Sequence, residues 1–77
     1  MQSKNITGAR IAAARKKSRP PLTQAVLSDR VIRLGVRLDR AAIAKIEVGL
    51  RGVQDFELVA IARALQVSPL TLLGVRA

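Results

Sequence analysis

The segment 39–49 constrains the fold of this chain more than any other part of the sequence. The Asp39 carboxylate can accept hydrogen bonds from the free N–H groups of a first helical turn, and the segment ends on glycine, which is typical of the position after a helix. At about 100° per residue, Ala42, Ile43 and Ile46 fall on one apolar face. The spacing therefore predicts an amphipathic helix that packs one side against a core.

The opposite face of this predicted helix, residues 40–48, is narrow and basic at its edges. Such a surface suits an anionic partner, and the major groove of duplex DNA, about 12 Å wide, admits one α-helix. Arginine and lysine donate to guanine or to phosphate, whereas alanine permits close approach and contacts thymine methyl groups. The candidate base-facing residues are Arg40, Ala41, Ala44 and Lys45. The alternative is an ordinary solvated helix face, in which the alanines reflect only helix propensity.

The charge balance points to a polyanionic partner. The chain has 77 residues, 14 of them Lys or Arg and 5 of them Asp or Glu, which gives a net charge of +9 and a pI near 11.8. Most of this charge lies in residues 1–40, where ten basic residues and two aspartates give a net charge of +8. We therefore expect binding to nucleic acid or to an acidic membrane surface. A charge that serves only solubility is the alternative.

The composition excludes several classes of protein. The sequence has no cysteine and no histidine, so disulfides and Cys/His zinc sites are excluded, and a reducing cytoplasm is compatible with the chain. Tyrosine and a glycine-rich phosphate loop are missing too, so we expect no enzyme, no cofactor, no metal site and no small-molecule ligand. Phe56 is the only aromatic residue, which disfavours base stacking on single strands. No apolar stretch approaches the roughly 20 residues of a membrane span.

Caps and breaks divide the chain into short helices. Alternation of apolar and polar residues nowhere persists over five residues, so strands are not expected. The Pro20-Pro21 pair ends any helix before it, because proline has no N–H to donate. The predicted N-caps are Thr7, Thr23, Asp39, Asp55 and Ser68. The predicted helices are 8–17, 24–34, 40–48, 56–65 and 70–73. We therefore expect one compact all-α domain of five helices over 1–77, with its core at about 6–74.

The second and third predicted helices form a candidate helix-turn-helix, because a short turn containing Gly35 joins them. Leu27, Val31 and Leu34 give the second helix an apolar stripe at i, i+4 and i+7. Leu38, in the connection, is expected to be buried.

The fifth predicted helix is almost entirely apolar. We expect Leu70 and Leu73 to close the core. Leu72 and Val75 then remain as candidates for a contact between two copies of the chain.

The beginning of the second helix is a candidate anion site, because its N–H groups are free and its dipole end is positive. Thr23 and Gln24 add side-chain donors there. Further candidates for contact with the phosphate backbone are Lys16, Lys17, Arg19, Arg37 and Arg51. Such contacts position a protein on DNA without specifying sequence. For each of them, an uninvolved surface charge is the alternative.

Several residues, in order along the chain, resemble a known family. They are Leu22-Thr23-Gln24, Leu27, Ile43, Ile46-Glu47, Gly49 and Arg51, then the run 55–68 and Leu72-Leu73-Gly74. The ordered set resembles the lambda-repressor-like, Xre/Cro-type helix-turn-helix family and covers roughly residues 6–74. Additional residues after Gln24 lengthen the second helix or its turn, which is similar to a long-turn subgroup of that family.

The resemblance implies a transcriptional regulator of bacterial or phage type, in the cytoplasm, that binds duplex DNA as a homodimer on a two-fold operator. It places the third helix in the major groove and the start of the second helix against the backbone. It also implies that Glu47 pairs with an arginine of the first helix, here Arg15. An unpaired carboxylate at the edge of an apolar face would be costly.

Two other functions remain open. One is a helix-turn-helix adaptor that binds an acidic partner protein, such as the antitoxin half of a toxin–antitoxin pair. The other is a basic amphipathic protein on an anionic membrane. We expect no membrane partner, because caps interrupt the amphipathic pattern repeatedly and favour a folded bundle over an interfacial helix.

Overall fold

The computed structural model describes residues 5–75, and all regular structure among them is helical. The five helices are α1 (Gly8–Lys17), α2 (Gln24–Arg33), α3 (Arg40–Glu47), α4 (Asp55–Leu65) and α5 (Pro69–Leu73). The predicted all-α architecture of five helices is therefore confirmed. Each helix begins and ends within one residue of its expected bounds.

One hydrophobic core joins all five helices. Each helix contributes at least one side chain without exposed surface, and these are Ile11, Leu27, Val31, Ile43, Ile46, Ile61 and Leu72. Helix α3 contacts α1 and α2, while α4 contacts α2 and α5. Leu38 is fully buried in the connection before α3, as expected, and its carbonyl accepts a 2.7 Å hydrogen bond from the buried Ser28 hydroxyl. The apolar face predicted for α3 is therefore the one that meets the core.

The turn after α2 is closed by a glycine in the left-handed region. Gly35 has a φ of +92°, and its N–H donates to the Ile32 carbonyl at 2.9 Å. The next N–H, of Val36, donates to the Val31 carbonyl at 3.3 Å. This reversal packs Val36 against the core and leaves Leu34 41% exposed. Of the predicted apolar stripe, Leu27 and Val31 therefore meet the core, whereas Leu34 lies at the C-cap, where the helix ends.

Thr7 holds the N-cap position of α1, as predicted, whereas the N-cap of α4 lies one residue before the predicted Asp55. The Thr7 side chain accepts no capping bond, and the Asn5 side-chain oxygen instead accepts from the N–H groups of Thr7 (2.9 Å) and Gly8 (2.8 Å). At α4 the N-cap is Gln54 rather than Asp55, because Glu57 reaches back to accept from the Gln54 N–H at 2.9 Å. Helix α1 begins at the predicted residue, and α4 begins one residue earlier than predicted.

The register of α5 is the main error in the predicted core. Leu72 is fully buried, whereas Leu70 is 40% exposed and Leu73 is partly buried. Leu72 therefore cannot contact a second copy in this fold, and its assignment to a dimer interface is wrong. The Ser68 hydroxyl caps α5 by accepting a 3.1 Å hydrogen bond from the Leu70 N–H. A helix of only five residues then directs few of its side chains towards the core. Val75 is 54% exposed.

The start of α1 lies directly against the end of α3. Gly8 is buried, and a Cβ atom added to it would fall far inside van der Waals contact with the Ile46 carbonyl oxygen. The Asn5 side-chain amide donates to the carbonyls of Ile46 (2.9 Å) and Arg51 (2.8 Å). The chain before α1 thus satisfies carbonyl groups at and beyond the end of α3, and glycine is the residue that permits the approach.

The close approach at Gly8 predicts that Gly8→Ala destabilises the fold by about 2–3 kcal/mol, the usual cost of overpacking. For a domain of this size the midpoint of thermal unfolding, followed by circular dichroism, should fall by roughly 10 °C or more. Gly52→Ala is the matched control, since a Cβ there meets no atom within 4 Å. Equal midpoints for the two variants would contradict this account.

Candidate nucleic-acid interface

The pattern of ion pairs leaves a surplus of positive charge at the surface. All five carboxylates of the chain lie between residues 5 and 75. Glu47, Glu57 and Asp29 pair with Arg15, Arg51 and Arg33, while Asp39 and Asp55 accept backbone N–H bonds at the starts of α3 and α4. In the same range, the basic residues without a carboxylate partner are Arg10, Lys16, Lys17, Arg19, Arg30, Arg37, Arg40, Lys45 and Arg63.

An open groove of about 590 Å³ joins the end of α1 with the beginnings of α2 and α3. Its lining residues are Arg15, Lys16, Pro21, Leu22, Thr23, Gln24, Ala25 and Arg40. None of them is acidic. We call this the α2–α3 groove. It brings together Arg40, predicted to face bases, and Thr23 and Gln24, predicted to face phosphate.

The beginning of α2 offers unused backbone donors to this groove. The Thr23 side chain accepts from the Val26 N–H at 3.1 Å, and the Thr23 carbonyl accepts from the Leu27 N–H at 3.0 Å. The N–H groups of Gln24 and Ala25 have no acceptor among the described residues. Free N–H groups at a helix start, with the positive end of the helix dipole, favour an anion.

A buried ion pair lies behind the α2–α3 groove and fixes its walls. Arg15 donates from Nε and Nη2 to the two Glu47 carboxylate oxygens at 2.8 and 2.9 Å, as the resemblance implied. The two side chains are only 12% and 5% exposed. Gln24 donates from its amide to Glu47 at 3.0 Å, and Arg15 also donates to the Leu22 carbonyl at 2.9 Å. One carboxylate thus connects α1, α2 and α3.

The pKa values of the buried groups follow from these contacts. Burial raises the pKa of the Glu47 carboxyl, but hydrogen bonds from Arg15 and Gln24 outweigh burial, and the net pKa lies below its ordinary value. The hydrogen bond to Glu47 raises the pKa of Arg15. At Glu57, the hydrogen bond from Arg51 is the main cause of a lowered pKa. Both carboxylates are therefore charged at neutral pH.

The outer face of α3 carries the four predicted base-facing side chains. Arg40, Ala41 and Lys45 are exposed, and Ala44 is partly buried. Of these only Arg40 lines the α2–α3 groove, since it stands at the start of the helix. Val48, at the end of the same face, is 71% exposed.

The predicted phosphate contacts divide among several places. Thr23 and Gln24 line the α2–α3 groove, as does Lys16, and Lys17 is exposed at the end of α1. Arg19 and Arg37 are exposed but line two other depressions of the surface. Apart from Gln24, none of these residues has a carboxylate partner among residues 5–75.

Arg51, predicted to contact phosphate, is held in an ion pair. Arg51 donates from Nη1 and Nη2 to the two oxygens of Glu57 at 2.9 and 3.0 Å. Glu57 is only 5% exposed and would be costly without a partner, so this guanidinium serves the fold. The sequence signal was the spacing of Gln54 and Glu57, which matches a capping box and turns the carboxylate towards the preceding loop.

Comparison with protein-family models, with curated proteins and with solved structures gives no match for this chain. The family resemblance therefore rests on the residues that carry it. Between residues 5 and 75, no helix is long and apolar enough to span a membrane. The same residues contain no cluster of three or more side chains suited to hold a metal ion. The charge and geometry of the surface are therefore the features that bear on what this chain binds.

The buried pair predicts a large loss of stability in Glu47→Ala, because the variant leaves Arg15 charged, poorly solvated and unpaired. We expect a cost of about 3 kcal/mol and a thermal midpoint lower by at least about 10 °C. Asp29→Ala is the control, since the Asp29–Arg33 pair is exposed and should contribute less than about 0.5 kcal/mol. Similar midpoints for the two variants would refute the structural role of Glu47.

The lowered pKa values of Glu47 and Glu57 also predict acid sensitivity. Both carboxyls bind protons less readily in the folded chain than in the unfolded chain, so the unfolded chain takes up more protons as the pH falls below about 5. The free energy of unfolding, measured with urea, should therefore be constant near neutral pH and decrease from about pH 5 to pH 3. A constant value down to pH 3 would contradict this expectation.

Proposed function

We propose that this protein binds duplex DNA sequence-specifically and regulates transcription, as a cytoplasmic protein of bacterial or phage type. The observation that carries the proposal is the α2–α3 groove, which is free of acidic residues. Arg40 at the start of α3 and the unused N–H groups at the start of α2 line this one groove. The cationic side chains of α3 are suited to contact base edges, and the adjacent start of α2 is suited to contact a neighbouring phosphate.

In the proposed complex, α3 lies in the major groove as the second helix of a helix-turn-helix. Arg40 and Lys45 donate to guanine or to phosphate oxygens, and Ala41 and Ala44 allow close approach. The start of α2 and Lys16 hold the phosphate backbone. Two alanines give little hydrogen-bonded readout, so part of the specificity comes from the shape of the DNA.

A homodimer fits this proposal, because duplex DNA offers two half-sites about one helical turn, or roughly 34 Å, apart. Of the two residues predicted for contact between copies, only Val75 is exposed. Of the predicted pair, Val75, which follows α5, is therefore the residue that remains a candidate for contact between copies.

The alternative is an adaptor that binds a partner protein, as an antitoxin does. It is favoured by two large apolar side chains after α3, since Val48 is 71% and Leu50 is 80% exposed. Exposed apolar residues rimmed by polar ones occur at protein interfaces. An adaptor of this kind would bind an acidic partner protein and would not require duplex DNA.

The proposal predicts that Arg40→Ala/Lys45→Ala weakens binding to a preferred duplex, selected from random sequences, by at least about thirty-fold. Each lost base contact costs about 1–3 kcal/mol. The variant should also lose most of its preference over random duplex. The matched control is Arg33→Ala/Arg63→Ala, which removes the same two charges from exposed positions outside the α2–α3 groove. The control should remain within a few-fold of the parent chain.

Three outcomes oppose the proposal. The first is equal binding by the variant and the control, and the second is equal affinity of the parent chain for heparin and for every duplex. The third is an absence of duplex binding together with tight binding to an acidic protein, which would establish the adaptor. Thermal unfolding of both variants shows whether a loss of affinity reflects a loss of fold.

A further inference from the structure

A second cationic groove, of about 310 Å³, lies where the connection between α1 and α2 meets the end of α4. Its lining residues are Ser18, Arg19, Pro20, Leu22, Arg30, Leu65 and Gln66. We call it the linker groove. No acidic residue lines it, and Arg19 is the only one of its members that was predicted to contact phosphate.

The two arginines of the linker groove have no carboxylate partner among residues 5–75. Arg30 is oriented by a 3.3 Å hydrogen bond from Nη1 to the Ala64 carbonyl. An arginine side chain carries several N–H donors in a planar fork, so Arg30 keeps donors for an oxyanion. Both arginines line this one small depression, so an anion bound there is attracted by both positive charges.

The linker groove adjoins the α2–α3 groove, because Leu22 lines both. Lys16 lines the α2–α3 groove and Arg19 lines the linker groove, so both grooves carry cationic side chains. Arg30 lies on α2 six residues after Gln24, which is about 9 Å along the helix axis and well within one turn of duplex DNA at roughly 34 Å. A DNA backbone that contacts the start of α2 can therefore extend to Arg30.

We propose that the linker groove binds a backbone phosphate of the same duplex, held by Arg19 and Arg30. This rests on the proposed function and extends it, since it adds a contact outside α3 and the start of α2. The chemistry recognised is a phosphate oxyanion, and the source is the phosphodiester of duplex DNA. A contact of this kind adds affinity for every sequence and no specificity.

The test is the salt dependence of binding to a labelled duplex of mixed sequence. Loss of two phosphate contacts in Arg19→Ala/Arg30→Ala should lower the slope of log K against log salt by about 1.8. Between about 50 and 200 mM salt, the loss of affinity should then be about tenfold smaller than for the parent chain. Arg33→Ala/Arg63→Ala, with the same net charge, should keep the slope of the parent chain.

Each other result overturns the inference. A slope equal to that of the control refutes the contact, and a lowered thermal midpoint with an unchanged slope shows that Arg30 serves only the end of α4. Amide NMR shifts in the groove on addition of inorganic phosphate, with an unchanged slope, indicate a site for a free anion instead. If the parent chain binds no duplex, the proposed function fails as well. If Arg40→Ala/Lys45→Ala alone weakens binding, only the linker groove is refuted.

Discussion

The Glu47 carboxylate is the interaction on which the rest of this molecule depends. It accepts hydrogen bonds from Arg15 and Gln24 and so joins α1 and α2 to the end of α3. Removing a charge from water is expensive, and a buried pair often contributes less stability than an apolar replacement would. Its distinctive contribution is orientation, because an apolar contact tolerates sliding and a two-oxygen hydrogen-bonded pair does not. The relative placement of the α2 start and α3 therefore follows from this one group.

The scarcity of acidic residues leaves the surface with a surplus of positive charge. The chain has 5 carboxylates for 14 basic residues, and each carboxylate is used within the fold, as an ion-pair partner or at a helix start. None remains to neutralise Arg40 or the other basic residues of the candidate interface. Two sets of arginines thus differ in their partners. Arg15 and Arg51 hold carboxylates inside, and the unpaired arginines are left for an external anion.

The features that could be predicted from the sequence are those set by nearby residues, namely the helix bounds and the buried helix face. Asp39 marks the start of α3, and glycines mark the places where helices stop. The spacing of Ile43 and Ile46 identifies the buried face of α3. The pairing of Arg15 with Glu47 required the family resemblance, since 32 residues separate the two. The orientation of α5 could not be predicted, because five residues are too few to define a period. The pair between Arg51 and Glu57 was not predicted, because the two charged side chains meet only when the loop before α4 folds back against the first turn of that helix.

The connection between α1 and α2 shows why one arginine matters to both grooves. Leu22 donates its N–H to the Arg15 carbonyl at 3.1 Å, and its own carbonyl accepts from the Arg15 guanidinium at 2.9 Å. The Leu22 side chain is 8% exposed and is part of the core. The connection is therefore fixed by three independent contacts at one residue, and that residue lines both grooves. Because the same guanidinium holds Glu47, the position of α3 and the path between the two grooves are set together. The two grooves therefore share one segment of chain whose position is fixed by these contacts.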